Sequence, residues 1–158
     1  MLTSYQQAVL SRYNTEMPVA NFVRIFQVEA NSSWDAWHAS VERLIHQHAI
    51  LQQGVEVLSS GTELKAWEND RFENSWGHLH ISGNDIEVLD ELKGFSQTCF
   101  SASSPVVMKA IGVTRDAGNP WLMLVFHPAV VDHGAVDLLL QELTNHQAAW
   151  PEQVKDLA

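Results

Sequence analysis

Apolar residues recur along the chain with two different periods, and the switches between them mark out the elements. In NFVRIFQVEA (21–30) the pattern alternates: Phe22, Arg24, Phe26 and Val28 share one side, and Val23, Ile25 and Gln27 the other. β-Branched and aromatic residues dominate there, which predicts a strand. From Trp34 the period lengthens. Trp34, Trp37, Val41, Leu44, Ile45, His48 and Leu51 fall on one helical face, with Asn31, Ser32 and Ser33 as available caps and Gly54 placed beyond the helix end. VEVLSSGTELKAWE (55–68) predicts two strands joined at Ser60-Gly61, and HLHI (78–81) a short strand within a polar stretch. Asn84 or Asp85 can cap a helix running through Ile86, Leu89 and Leu92.

VVMKAIGV (106–113) predicts a strand, RDAGNP (115–120) a loop, and WLMLVFH (121–127) a central strand buried on both faces, because its apolar run is unbroken and of strand length. After the loop PAVVDHG (128–134), Asp132 can cap a last helix with Val136, Leu139, Leu140 and Leu143 as its buried stripe and Pro151 at its end. A short helix over 3–13, followed by a turn at TEMPVA (15–20), precedes the first strand. This order predicts an α+β fold, a two-layer sandwich in which a mixed sheet carries helices on one face. Neither an internal repeat nor a dividing linker is visible, so residues 1–158 are expected to form one lobe.

Composition narrows the functions. A formal net charge of −10 opposes nonspecific binding to nucleic acid or anionic membrane and favours solubility or docking on a basic protein surface. No apolar stretch reaches the length of a membrane span, and the N-terminus lacks the basic and apolar regions of a signal peptide, so a cytoplasmic protein is expected. The single cysteine, Cys99, allows no internal disulfide.

Little in the spacing points to familiar chemistry. A Walker motif, a dinucleotide glycine fingerprint and a serine nucleophile elbow are all missing from the sequence. The pairs His46/His48 and His78/His80 suggest metal ligands, but no cysteine or carboxylate spacing completes a site, so neither a metal nor a cofactor is expected. Cys99 has no neighbouring cue for activation. Of the six tryptophans, Trp34, Trp37 and Trp121 sit on core patterns, which leaves Trp67, Trp76 and Trp150 as candidates for partner contact.

One segment is distinctive. A buried strand ends in His127, and five residues later Asp132 opens a leucine-rich helix. HPAVVDHGAVDLLLQEL (127–143) resembles, without a gap, the HHxxxDG segment of nonribosomal peptide condensation domains, with His127 at the first histidine and Asp132 at the aspartate. LTSYQQ (2–7) resembles the opening SxAQxR motif of that family, with Gln6 at its glutamine. RLIHQHAILQQGV (43–55) resembles its RHExLRTxF motif, with His48 and Leu51 retained. The resemblance runs over nearly the whole chain and implies the N-terminal lobe of a chloramphenicol acetyltransferase-like fold.

The departures from the family pattern bear on mechanism. The second histidine, which the resemblance associates with catalysis, falls on Pro128. The following glycine falls on His133, the arginine that would pair with the motif aspartate on Gln52, and the arginine of the opening motif on Ala8. A proline offers neither a side-chain base nor a backbone N–H. The family also has two lobes with its tunnel between them, and this sequence matches one. The face that would meet the second lobe is therefore expected to be solvated, self-associated or covered by a partner.

The resemblance thus implies a noncatalytic accessory protein of nonribosomal peptide or hybrid polyketide biosynthesis that binds a synthase domain, a carrier protein or itself. The alternative is a small acyltransferase with its site assembled between subunits and His127 or His133 as base, beside Asp132. The plainer readings are a buried histidine ending a strand for His127, a surface residue beside a cap for His133, and the helix cap itself for Asp132.

Overall fold

The computed structural model describes residues 21–28, 33–100, 103–144 and 152–153. The helix expected over 3–13, the turn at 15–20 and the stop at Pro151 lie outside them. The strands are β1 (Phe22–Gln27), β2 (Gln53–Leu58), β3 (Gly61–Ala66), β4 (Trp76–Ile81), β5 (Met108–Arg115), β6 (Trp121–Phe126) and the two-residue β7 (Glu152–Gln153). The helices are α1 (Trp34–Gln47), α2 (Asp85–Gln97) and α3 (His133–Thr144), with short 3-10 turns at Ala49–Leu51 and Phe72–Asn74.

Two sheets form. The larger has the order β4-β5-β6-β1-β7, and β2 pairs with β3 in a separate hairpin. β6 runs antiparallel to both β5 and β1, whereas β4 and β5 are parallel, with α2 as the crossover between them. The sheet is therefore mixed, as expected. The residues expected to form only a short strand at 78–81 make a full strand, because the parallel pairing with β5 extends from Trp76 to Ile81.

Every side chain of β6 is buried. Leu122, Leu124 and Phe126 point into a core built with Trp37, Val41, Leu44 and Ile45 of α1 and Val136, Leu139, Leu140 and Leu143 of α3. Trp121, Met123 and Val125 point into a second core with Val88, Leu89 and Leu92 of α2. Neighbouring strands alternate in step: Phe26, Met108 and Ala110 join the first core, and Ile25, Ile111 and Val113 the second. The expectation of helices on one face is corrected here. α1 and α3 cover one face and α2 the other, because an unbroken apolar strand needs apolar cover on both sides. The open face expected of a single lobe is accordingly not a sheet face. The exposed large apolar side chains among the described residues are Ile50, Val57, Leu58, Ile86 and Leu138, spread over four elements.

Local chemistry sets the helix ends. Ser33 Oγ accepts the Ala36 N–H at the start of α1. Asn84 and Glu87 form a reciprocal capping box at α2. Val88, one turn before Leu92, joins Leu89 and Leu92 inside in place of the expected Ile86, which is left exposed. α1 ends at Gln47, where Gln52 Nε2 donates to the Ile45 carbonyl at 3.0 Å and to the His46 carbonyl at 3.2 Å. His48 Nε2 lies 2.6 Å from Glu142 Oε2, which ties the end of α1 to α3.

Gly54 follows the end of the helix, as expected, and lies inside β2. The bridge between Val55 and Ser104 brings the backbones so close that a Cβ at position 54 would fall 2.7 Å from the Ser104 carbonyl oxygen and 2.9 Å from that of Pro105. Gly54→Ala is expected to destabilise the fold by about 1–3 kcal/mol by forcing these segments apart, measured as a lower denaturant midpoint.

Candidate functional site

The segment with the family resemblance occupies the carboxyl end of β6. His127 follows the strand directly, and its N–H donates to the Val107 carbonyl at 2.8 Å, continuing the pairing with the chain entering β5. The side chain is fully buried, with the Phe100 ring at 5.5 Å. Its Nδ1 accepts the Ala129 N–H at 3.0 Å. A backbone N–H can only donate, so in the neutral ring the proton sits on Nε2. Burial pushes the imidazole pKa down to about 4, so the ring is neutral at physiological pH. In that state the lone pair of Nδ1 is engaged and Nε2 carries the proton.

Pro128, Ala129, Val130 and Val131 are buried as well, and the last three pack into the core beneath α1 and α3. This loop is a core plug as much as a connection. It leads to Asp132, whose Oδ1 accepts the Ala135 N–H at 2.8 Å and whose carbonyl accepts the Val136 N–H at 3.0 Å. Asp132 is thus the N-cap of α3. His133 is the first residue of α3, and its side chain lies outside the described residues. Gln52 has its amide on the α1 carbonyls described above.

The remaining candidates are dispersed. Trp67 is half-buried, with Nε1 donating to the Pro105 carbonyl at 2.9 Å. Trp76, also half-buried, donates to His78 Nε2 at 3.2 Å and lies edge-on to the rings of His38 and His78. Trp150 lies outside the described residues. Cys99 is buried, and burial pushes its thiol up to about 11, so it is no ready nucleophile.

Each paired histidine has a partner that linear spacing did not disclose. His80 sits between Thr114 Oγ1 and Asp116 Oδ1, both at 2.9 Å, and the hydrogen bond from His80 first and that from Ser82 second hold the exposed Asp116 carboxyl below its ordinary range. Glu42, one turn before His46 on α1, and Asp70 in a loop bring ligand atoms within 4.8 Å of one another and of His46. Asp70 Oδ1 accepts the Phe72 N–H at 3.0 Å, and Oδ2 lies 3.1 Å from His46 Nε2. The amide bond first and the imidazole second lower the Asp70 carboxyl. Sequence reasoning found the histidine of this cluster but not its carboxylates, which only the fold brings near. The exposed imidazole–carboxylate pair accounts for the geometry.

No protein-family model and no curated protein matches the sequence. Solved structures do match in fold. The X-domain from teicoplanin biosynthesis superposes with a TM-score of 0.74 at 12% identity, over 92% of this chain and 31% of that one. The condensation domain from the monacolin K polyketide synthase does so with a TM-score of 0.71 at 10% identity, over 94% and 34%. A four-domain nonribosomal peptide synthetase bound to AMP and glycine gives 0.70 at 18% identity, over 92% and 11%. The chain thus has a condensation-domain-like fold, and it spans about a third of the length of the first two structures.

Two outcomes follow from the geometry at 127–132. In the unfolded chain His127 titrates near its ordinary value of 6.5, and in the fold near 4. The unfolded state therefore binds the extra proton first as pH falls. Stability is expected to decline from about pH 6.5 to about pH 4, with this residue contributing up to roughly 3 kcal/mol of the loss. Urea melts across that range should show His127→Leu with a flatter profile than the unsubstituted protein. Asp132→Ala should cost about 1 kcal/mol through the lost cap, read in the same melts at neutral pH.

Proposed function

We propose that this chain is a noncatalytic, condensation-domain-like accessory protein of nonribosomal peptide or hybrid polyketide biosynthesis, and that it acts by binding a synthase domain, a carrier protein or a second copy of itself. Pro128 carries the reading. It stands where the resembled motif has its second histidine, so the acid–base group is replaced by a residue with no titratable atom. The neighbourhood supports the same conclusion. His127 is buried, neutral and engaged through Nδ1 with the Ala129 amide. Asp132 spends its carboxylate on a helix cap, and Gln52, at the position of the pairing arginine, holds the end of α1. The assembly-line setting rests on the fold likeness alone.

The acidic surface suits a partner with a basic docking face, and Trp67, Trp76 and Trp150 are the proposed aromatic contacts. Affinity capture with the tagged full chain, against purified proteins of its own biosynthetic locus, is expected to yield a defined complex or a homodimer by size-exclusion chromatography with light scattering. A monomer that captures none of them would overturn the proposal. So would acyl transfer that disappears in the His127→Ala/His133→Ala double variant, because that outcome belongs to the acyltransferase alternative.

A further inference from the structure

α1 carries a group of metal-ligating side chains apart from the 127–132 segment. Glu42 and His46 stand one turn apart on that helix, so both project from the same face. Asp70 reaches them from the loop between β3 and β4. One ligand atom from each of the three lies within 4.8 Å of the other two. His46 Nε2 and Asp70 Oδ2 are 3.1 Å apart.

The donor set is selective. An imidazole with two carboxylates suits zinc, whereas magnesium and calcium take oxygen ligands. In a tetrahedral zinc site with bonds of about 2.0–2.1 Å, neighbouring ligand atoms stand about 3.3 Å apart. The His46–Asp70 hydrogen bond already holds its two atoms close to that spacing, so a cation could take the place of the proton between them with little movement. The imidazole would then give its Nε2 lone pair to the metal and carry its proton on Nδ1. Glu42, on a flexible stem, closes the remaining distance by a change of rotamer.

The other two ligands are held in advance. Phe72 is fully buried and anchors the short turn that follows Asp70. Its N–H donates to Asp70 Oδ1 at 3.0 Å, which leaves Oδ2 for the His46 side. A hydrogen-bonded ligating carboxylate of this kind is the usual outer support of a metal site. His46 belongs to the last turn of α1 and is exposed, so an ion from solvent can reach it. Two carboxylates on a chain of net charge −10 draw a divalent cation toward it.

We propose that Glu42, His46 and Asp70 form a zinc site, with water in the fourth position, that clamps the loop between β3 and β4 to α1. The site stands or falls separately from the accessory role above.

Calorimetric titration of the full chain with zinc chloride, and with magnesium chloride as the oxygen-seeking comparison, tests it. Saturable zinc binding is expected, with magnesium weaker by about tenfold or more. His46→Ala and Asp70→Asn should each weaken zinc binding by about tenfold or more, and Glu42→Gln should act in the same direction. His80→Ala, at the exposed pair with Asp116, should leave it unchanged. Zinc should also raise the melting temperature of the unsubstituted chain and not that of His46→Ala, because a ligand stabilises only the fold that holds it. A purely structural hydrogen bond would show no such dependence on zinc. Absence of saturable zinc binding, equal binding of magnesium, an unchanged zinc isotherm in His46→Ala, or an equal loss in His80→Ala would overturn the proposal. The His46→Ala result decides even if Asp70→Asn, which touches the Phe72 turn, fails to fold.

Discussion

The burial of β6 on both faces is the constraint from which the rest of the fold follows. Six consecutive apolar side chains cannot be half-solvated without a large penalty, since each of the larger ones is worth roughly 1.5–3 kcal/mol on burial. The strand therefore requires a neighbour on each edge and a helical layer on each side. β5 and β1 supply the edges, α1 and α3 one layer, and α2 the other. The parallel β4 follows from the same demand, because a crossover helix on the α2 side delivers the chain back to the sheet in that sense.

The segment after β6 inherits its environment from this strand. His127 ends a fully buried strand and so is itself buried and neutral. The loop behind it is apolar because it fills the space between the strand end and the start of α3. The architecture of this segment can thus be kept by packing alone. Separating architecture from chemistry is useful, because the solved structures support the fold at 10–18% identity and leave the chemistry to the residues themselves.

Much of the fold was legible in the sequence wherever a pattern was long or a cap explicit. The helix opening at Trp34, the hairpin about Ser60-Gly61, the central strand and the Asp132 cap all came from local periodicity or side-chain capping, although the helical pattern read through Leu51 gives way to a 3-10 turn after Gln47. Failures came where a distant contact decided the outcome. Gly54 could be placed beyond the helix, but only the fold reveals that it lets Ser104 approach β2. Ile86 stands three residues before Leu89, yet the inner face of α2 is taken by Val88, one turn before Leu92. The number of helix layers was misjudged because an apolar run reveals that both faces are covered without revealing by which elements. At the site, His127 and Asp132 could be located from the sequence, whereas the Ala129 contact that occupies the imidazole could not. The carboxylate partners of His46 were invisible because Asp70 is brought to Glu42 and His46 only by the fold.

A strand that is apolar on both sides also carries a weak address. In an amphipathic strand, a slip of one residue would turn oily side chains to water and be rejected at once. In β6 the same slip would only exchange one oily layer for the other, so hydrophobicity alone cannot fix the alignment of its neighbours. That information has to reside in directional contacts at the strand ends. At one end the Val28 N–H meets the Pro120 carbonyl at 2.9 Å, and at the other the His127 N–H meets the Val107 carbonyl at 2.8 Å. With its imidazole clasping the next turn through Ala129, His127 acts as a stop that keeps the sheet in phase.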